Sequence, residues 1–202
     1  MIAIVDYGVG NLHSVLKAVE KVGAKACVTS DSEVIKVADK MILPGVGSFG
    51  HCMKNLHAYG LVDTVKEYAA SGRPFLGICV GLQILFEKSE ESPGVSGLGL
   101  LPGEIVRLPA SELKIPQIGW NKLIYKNDSP LFVGFNEGEY VYFVHSYYAK
   151  VNDGALVTAS VEYGGDITAS VGRNNIHALQ FHPEKSADVG LKILYNFKEF
   201  NL

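Results

Sequence analysis

Strand-like and helix-like segments alternate along the first 88 residues, and this alternation constrains the fold more than any other feature. The segment "IAIVD" (2–6) is typical of a buried strand. Apolar residues then recur at the spacing of one helix face: Leu12, Val15, Leu16 and Val19. The same order repeats in "AKACVT" with "DSEVIKVAD", in "KMILPGVGSFG" with helices predicted over 49–57 and 61–71, and in "RPFLGI" with a helix predicted over 80–88. Repeated strand–helix pairs predict parallel βαβ units.

The pattern changes after residue 95. Strand-like segments separated by turns now dominate: "LGLLPGEIVRL", "IGWNKLIY", "EYVYFVHSYYA", "ALVTASVEY", "ITASVG" and "IHALQF". A last amphipathic segment, "SADVGLKILYNFKEF", predicts a helix. Repeats, low-complexity stretches and linkers are absent from the sequence. We therefore expect a single α/β domain over 1–202, with an open, largely parallel sheet flanked by helices and additional antiparallel strands in the C-terminal half.

Composition excludes several classes of partner. Hydrophobic residues make up 48% of the 202 residues and the net charge is −3, which favours a large core and makes nucleic acid an unexpected partner. The longest apolar stretch, 75–86, is too short to span a membrane, and the first residues do not resemble a signal peptide. Three distant cysteines form no disulfide framework, so we expect a reducing, cytoplasmic setting.

A cysteine lies between two glycines where a predicted strand turns into a helix, in Gly77-Ile78-Cys79-Val80-Gly81. This order is typical of a nucleophile elbow, in which the glycines allow close approach of strand and helix. The free N–H groups of a helix N-terminus favour a thiolate and a developing oxyanion. The alternative is that Cys79 is a small buried apolar residue, which is usual for a free cysteine.

A thiolate nucleophile needs a base, and "LQFHPEKS" offers His182 with Glu184 two residues later. In an extended chain these two side chains point to the same side, so the carboxylate can orient the imidazole. Such a pair alone is also common at a solvated strand end. The remaining histidines are expected to be structural or solvated, except His145, whose role the sequence leaves open. No cluster has the spacing of metal ligands, so we predict neither a metal nor another cofactor.

Glycines also recur in "LPGVGSFG" (44–50), at the end of another predicted strand. The segment does not fit a phosphate-binding loop. At the carboxyl end of a parallel strand it can instead aim a backbone N–H into the same crevice as Cys79. Together with the N–H of Val80 this would form an oxyanion hole with two donors.

Taken together, these motifs resemble the class I (triad) glutamine amidotransferases. Within that family they are most similar to the glutaminase subunits of imidazole glycerol phosphate synthase, in histidine biosynthesis. Six segments have counterparts there in the same order: "DYGVGNLHSV", "LPGVGSFG", "GICVGLQILFEKSEE", "PQIGWN", "YFVHSYY" and "LQFHPEKS". The resemblance covers nearly the whole chain and implies a flavodoxin-like sheet and hydrolysis of L-glutamine to glutamate and ammonia.

The resemblance also implies roles for individual residues. Cys79 matches the nucleophile, His182 the general base and acid, and Glu184 the orienting carboxylate. The oxyanion segment is matched by Gly45, Val46 and Gly47, together with Val80. Substrate contacts are matched by Gln83, Glu91, Ser146 and Tyr147. Contacts with the partner, a cyclase subunit that is a (β/α)8 barrel, are matched by Asn11, Trp120, Tyr142 and Lys185. This heterodimer would pass ammonia to the cyclase, which makes imidazole glycerol phosphate and aminoimidazole carboxamide ribotide.

Three alternatives remain at this point. The same glutaminase could supply ammonia to an amidino-sugar synthase, since paralogues of the subunit do so. A non-catalytic regulatory subunit is a second possibility, but the intact set of Cys79, His182 and Glu184 argues against it. A cysteine peptidase of similar fold is the third, and the His-Pro-Glu spacing fits it poorly.

Overall fold

A computed structural model describes residues 1–109, 112–136 and 138–201 of the chain. The β-strands within these ranges are β1 Ile2–Val5, β2 Ala26–Thr29, β3 Lys40–Gly45, β4 Phe75–Cys79, β5 Lys88–Ser89, β6 Glu104–Arg107, β7 Gln117–Lys122, β8 Ile124–Tyr125, β9 Tyr140–His145, β10 Tyr147–Lys150, β11 Val157–Glu162, β12 Asp166–Arg173 and β13 Ile176–Leu179. The α-helices are α1 Leu12–Lys21, α2 Ser32–Val37, α3 Phe49–Ala58, α4 Val62–Ala70, α5 Val80–Gln83 and α6 Ala187–Glu199. Short 3-10 turns lie at Pro130–Phe132, Gly154–Leu156 and Pro183–Lys185.

The main sheet has eight strands in the order β2-β1-β3-β4-β13-β12-β11-β8. The first five are parallel, and β12, β11 and β8 continue the sheet in antiparallel pairing. The expected open, largely parallel sheet with added antiparallel strands is therefore confirmed. Because β13 comes late in the chain but pairs with β4, the sheet places the end of the C-terminal half beside the elbow predicted from the N-terminal half.

The central strands are covered on both faces. Every residue of β1, β3, β4 and β13 is buried, as expected for parallel strands between helices. One hydrophobic cluster runs from Ile2 to Phe197 and includes residues of both halves. The carboxyl ends of β3, β4 and β13 are thus held by strands that are buried along their whole length.

Two smaller sheets pack near this edge. One has the order β10-β6-β5 and the other is the antiparallel pair β7 and β9. In β9 buried residues alternate with more exposed ones, and in β7 buried or half-buried residues alternate with exposed ones. This two-stranded sheet therefore presents one face to the core and one outward.

The helix predicted over 80–88 was too long, because α5 ends at Gln83. The carbonyls of Ile84, Leu85 and Phe86 accept hydrogen bonds from N–H groups of residues 98–101 instead of continuing a helical ladder. A loop distant in sequence therefore replaces the next helical turn, which apolar periodicity alone could not reveal.

Candidate active site

Cys79 ends β4 at a sharp turn. Its backbone has φ 56° and ψ −113°, a conformation that residues with a Cβ rarely adopt, and α5 begins at the next residue. The side chain is 4% exposed. Strain of this kind persists only where the surrounding structure imposes it, so the elbow predicted from sequence is present in the backbone itself.

The glycines on either side of Cys79 are required because a Cβ at these positions would come too close to neighbouring backbone atoms. A Cβ on Gly81 would lie 1.9 Å from the carbonyl oxygen of Leu43, and a Cβ on Gly77 would lie 3.0 Å from the carbonyl oxygen of Gly81. Real Cβ atoms essentially never approach backbone oxygen as closely as the first distance. The spacing Gly-x-Cys-x-Gly therefore permits α5 to lie directly against β3 and β4.

His182 is brought to Cys79 by the sheet. Leu179 of β13 pairs with Ile78 of β4, and the chain then continues to His182. His182 Nδ1 lies 2.8 Å from Glu184 Oε1, with the two side chains 4% and 2% exposed. The expected geometry was wrong in one respect, because Glu184 lies in a 3-10 turn rather than in extended chain. The turn still places the carboxylate on the imidazole.

The electrostatics of His182 reflect two opposed effects. Burial lowers its pKa, but side-chain hydrogen bonds to Cys79 and Glu184 outweigh this and raise the pKa to about 10. The imidazolium is thus favoured between a carboxylate and the sulfur at neutral pH. The arrangement can hold a thiolate–imidazolium pair and then move the proton.

The predicted oxyanion segment runs alongside the nucleophile, since Gly45 of β3 pairs with Cys79 of β4. Its next residues leave the sheet: Val46 is 39% exposed, and Gly47 has φ 87°, which favours glycine. The carbonyl of Val46 accepts a hydrogen bond from Cys52 Sγ at 3.4 Å. The backbone beside the sulfur is therefore held by the sheet up to Gly45, and beyond it a weak hydrogen bond from a thiol reaches the Val46 carbonyl.

A cavity of about 310 Å³ opens above Cys79, and this volume is at the small end of small-molecule sites. Its walls are Val46, Gly47, Cys79, Val80, Gln83, Glu91, Pro116, Val144, His145, Ser146, Tyr147 and His182. The structure thus brings together the predicted nucleophile, the base, the four predicted substrate residues and most of the oxyanion segment. Gly45 and Glu184 do not line the cavity; they lie next to residues that do.

The predicted substrate residues are partly engaged by the protein. Gln83 Nε2 donates to the carbonyl of Tyr147 at 3.1 Å, which leaves the Oε1 of Gln83 available. One carboxylate oxygen of Glu91 accepts a hydrogen bond from the N–H of Phe49 at 2.7 Å, at the start of α3. The carbonyl of Ser146 accepts from the N–H of Leu108 at 2.9 Å.

Two buried polar residues at the site were not assigned from the sequence. Burial lowers the pKa of His145 to about 4, so this cavity-lining imidazole is neutral, with Nδ1 2.9 Å from the Tyr147 carbonyl. Gln180 is fully buried and its Nε2 lies 3.9 Å from Cys79 Sγ. The only sequence signal for Gln180 was a polar residue within the apolar run that leads to His182.

Three of the four residues expected at a partner contact form one cluster. Trp120 of β7 pairs with Tyr142 of β9, with the ring centroids 6.2 Å apart, and Lys185 Nζ lies 5.8 Å from the Tyr142 ring. Trp120 is 52% exposed. Asn11 is exposed at the N-terminus of α1.

Within the described ranges, no group of three or more His, Cys, Asp or Glu side chains could hold a metal ion. The helices found in those same ranges are all too short or too polar to cross a membrane.

Comparison with known proteins agrees with this geometry. Residues 3–199 match the family described as glutamine amidotransferase class-I. The imidazole glycerol phosphate synthase subunit HisH of Syntrophotalea carbinolica is 51% identical, with 98% of both chains covered. The HisH subunit of Methanothermobacter thermautotrophicus is 52% identical, again with 98% of both covered.

Solved structures share the fold at lower identity. A crystal structure of a glutamine amidotransferase has a TM-score of 0.75 at 21% identity, covering 96% of this chain and 97% of the other. The structure of PurLQS from Thermotoga maritima has a TM-score of 0.74 at 21% identity, covering 98% and 97%. This chain therefore belongs to the class-I glutamine amidotransferase family, and within it to the group of imidazole glycerol phosphate synthase HisH subunits.

Proposed function

We propose that this protein is the glutaminase subunit of imidazole glycerol phosphate synthase in histidine biosynthesis. One observation carries the proposal: a cysteine held at a strained elbow faces a buried His182–Glu184 pair across one small cavity, in a chain about half identical to HisH subunits. The substrate is L-glutamine, and the products are glutamate and ammonia.

Catalysis begins with the Cys79 thiolate. The sulfur attacks the side-chain amide carbon of glutamine, and the carbonyl π electrons move to oxygen. Backbone N–H groups of Val80 and of the 45–47 segment stabilise this oxyanion. The His182 imidazolium then gives its proton to the amide nitrogen, so that ammonia leaves and a glutamyl thioester remains.

The second half-reaction uses the same residues in reverse. Neutral His182 removes a proton from water, which attacks the thioester carbon. Collapse of the tetrahedral intermediate expels the Cys79 thiolate and releases glutamate, while His182 is left protonated for the next cycle. Glu184 accepts the Nδ1–H of His182 in both halves and so keeps Nε2 directed at the reacting atoms.

Glutamine is expected to lie between Gln83, Glu91 and the 146–147 segment. The carboxylate of Glu91 suits the substrate ammonium group, because an opposite charge at the rim of a small cavity is favourable. The Tyr147 carbonyl already accepts from both Gln83 and His145. Its N–H, rather than its carbonyl, is therefore the expected substrate contact.

The partner is a cyclase subunit with a (β/α)8 barrel, and the ammonia acceptor is its ribulosyl phosphate substrate. Ammonia must stay away from bulk water to remain unprotonated, which explains why such a glutaminase works docked to a synthase. The cluster of Trp120, Tyr142 and Lys185 offers exposed aromatic area, which protein interfaces favour, beside one cation. We place the cyclase on this cluster and on Asn11.

The relatives do not favour the other candidates. Those at 51% and 52% identity are named as imidazole glycerol phosphate synthase subunits, which argues against an amidino-sugar synthase as the partner. The buried His182–Glu184 pair argues against a non-catalytic subunit.

The test is to mix the chain with the cyclase subunit from the same host and to follow imidazole glycerol phosphate. Glutamine should support turnover only when both subunits are present. Added ammonia should support turnover with the cyclase alone, and a Cys79→Ser chain should abolish only the glutamine-dependent reaction. Failure of the two subunits to copurify, or glutamine-dependent turnover with the Cys79→Ser chain, would contradict the proposal.

A further inference from the structure

A buried amide lies against the sulfur of the nucleophile. Gln180 follows β13 directly, is 0% exposed, and has its Nε2 3.9 Å from Cys79 Sγ. Neither half-reaction of glutamine hydrolysis uses its side chain. Burying a side-chain amide is costly unless its polar atoms are hydrogen-bonded, so the partners of Gln180 define what it does.

The contacts of Gln83 determine which atom of the Gln180 amide faces the sulfur. The carbonyl of Tyr147 can only accept, so the Gln83 atom 3.1 Å from it must be the NH2 group. The same NH2 donates to Gln180 Oε1, also at 3.1 Å. With its oxygen used in this way, Gln180 directs its own NH2 at the Cys79 sulfur. The NH2 group of Gln83 therefore donates to both Tyr147 and Gln180, and a chain of hydrogen bonds runs from this group through Gln180 to Cys79.

The chain ends at the atom that must carry negative charge. Gln83 is 3% exposed and Cys79 is 4% exposed, so these bonds lie in a weakly screened interior where they are stronger than in water. An N–H donor stabilises a thiolate more than a neutral thiol, because the acceptor charge strengthens the bond.

We propose that Gln180 stabilises the Cys79 thiolate, and that Gln83 and the Tyr147 carbonyl orient its amide for this purpose. The inference rests on the proposed role of Cys79 as the nucleophile. Gln83 would then have two roles. Its Oε1 is free to contact the substrate glutamine, and its NH2 group orients the amide of Gln180 that donates to the sulfur.

Other groups around the sulfur also influence its charge. His182 faces it as a cation, and Tyr7 and Cys52 lie close enough to interact with it electrostatically. Gln180 is uncharged and carries its effect through one N–H. Its replacement by another uncharged side chain therefore changes the thiolate without changing the number of charges in the site.

The experiment measures alkylation of Cys79 by iodoacetamide in the full chain as a function of pH. Mass analysis of the Cys79 peptide separates this reaction from that of Cys27 and Cys52. In Gln180→Met the alkylation midpoint should rise by about one pH unit, a roughly tenfold loss of thiolate below the midpoint, as expected for losing a hydrogen bond to a charged group. Gln180→Glu, which keeps the shape but replaces the donor by an anion, should shift it further.

Asn175→Leu is the matched control. Its amide is also buried, donates to the carbonyls of Ala69 and Arg73, and lies outside the cavity walls. This variant should lose stability and keep the alkylation midpoint. If Gln180→Met does not fold, Gln83→Met provides the second route, because loss of the orienting NH2 should raise the midpoint in the same direction.

An unchanged midpoint in both Gln180→Met and Gln83→Met would overturn the inference, whatever happens to glutamine turnover. An equal shift in Asn175→Leu would also overturn it, since the effect would then be general loosening. Alkylation requires no glutamine and no partner, so this result is independent of whether the proposed glutaminase function holds.

Discussion

The two sides of the cavity are built by different means. The side from the N-terminal half, with Cys79 and the 45–47 segment, depends on backbone: a left-handed φ, glycines in contact with backbone, and N–H groups. The side from the C-terminal half, with His182 and Glu184, depends on hydrogen bonds between buried side chains. The first side should therefore be sensitive to an added methyl group, and the second to the exchange of a single polar atom.

This division follows from the fold. β4 and α5 meet at the elbow with no room for a Cβ at Gly81, so backbone packs directly against backbone there. β13 ends beside them and continues into a turn, which leaves room for side chains to reach back over the cavity. The N-terminal half alone would hold Cys79 without its base, and the C-terminal half alone would hold the His182–Glu184 pair without the nucleophile.

The largest effect on glutamine hydrolysis is expected from replacing Cys79, the side chain of the N-terminal side that forms a covalent bond to the substrate. Cys79→Ala should lower glutamate release in the presence of the partner by about 10⁶-fold, as loss of the nucleophile does in a hydrolytic triad. The matched control is Cys27→Ala, a half-buried cysteine of β2, which should keep its activity. Release near the wild-type rate in Cys79→Ala would show that the sulfur is not the nucleophile.

On the C-terminal side, the two members of the pair should differ. His182→Ala should cost about 10⁶-fold, and Glu184→Gln about 10⁴-fold, because the imidazole moves protons whereas the carboxylate orients and stabilises it. Steady-state kinetics of both variants with the partner bound measure this difference. A loss in Glu184→Gln equal to or larger than that in His182→Ala would reverse the assigned roles.

The 45–47 segment, in which Val46 and Gly47 are exposed, is the part of the N-terminal side that a partner could change. We expect slow glutamine hydrolysis by the chain alone and a rise of about 10²–10³-fold when partner and acceptor bind, the effect of gaining one oxyanion donor. The rotation of one peptide unit beside Gly45 and Gly47 would supply that donor. Turnover by the isolated chain as fast as that of the full complex would exclude such a switch.

Lys185→Ala separates switching from docking. If Lys185 transmits activation, Lys185→Ala should turn over glutamine more slowly than the wild type even at saturating partner. If Lys185 only helps to bind the partner, the affinity should fall and the rate at saturation should stay unchanged. Lys192→Ala is the control, since Lys192 lies over the Phe135 ring, 4.4 Å from its centroid, at a site distinct from the Tyr142 cluster. It should change neither quantity.

The dependence of the N-terminal side on backbone can be tested through stability. Gly81→Ala should destabilise the fold by about 3 kcal/mol or more, because the new methyl group meets backbone that cannot move aside. Gly154→Ala, where nothing lies within 4 Å of the added Cβ, should leave stability nearly unchanged. Urea unfolding of both variants gives the comparison, and equal midpoints would contradict the close-contact argument.

Two imidazoles near β13 should show opposite pH dependence. Burial lowers the pKa of His177 to about 4, so the unfolded chain takes up a proton below pH 6.5 that the folded chain refuses. His177 should contribute a fall in stability of up to about 3 kcal/mol between pH 6.5 and 4, in addition to the fall caused by His145, and His177→Gln should remove the first contribution. The pKa of His182 is raised to about 10, so its stabilising contribution is complete below pH 6.5 and disappears as the pH rises through 10.

Urea unfolding from pH 4 to pH 10 measures both limbs. Cys79→Ala removes one partner of His182 and should flatten the alkaline loss while leaving the acid limb unchanged. If His177→Gln loses as much stability in acid as the wild type does, the buried imidazole is not responsible for that limb.

Local patterns were sufficient where structure depends on near neighbours. The glycine spacing around Cys79 predicted the elbow, since the strained turn lies within five residues, although the tight packing of Gly81 is against Leu43 of β3. The contact between His182 and Glu184 was also predicted from sequence, although through the wrong local geometry, because a turn or a strand can bring together side chains two residues apart. The order of strands and helices likewise predicted the parallel sheet.

Long-range contacts decided the rest. The hydrogen bonds of Gln180 to Gln83 and Cys79 span 97 and 101 residues, and no periodicity encodes such a pairing. The early end of α5 depends on a loop that captures the carbonyls of Ile84, Leu85 and Phe86. The sequence thus determined which residues could act as nucleophile and base, because each of these signals is a motif of three to five consecutive residues with recognisable chemistry. Only the tertiary structure, by pairing β13 with β4, decided that they face each other and which buried amide lies beside the sulfur.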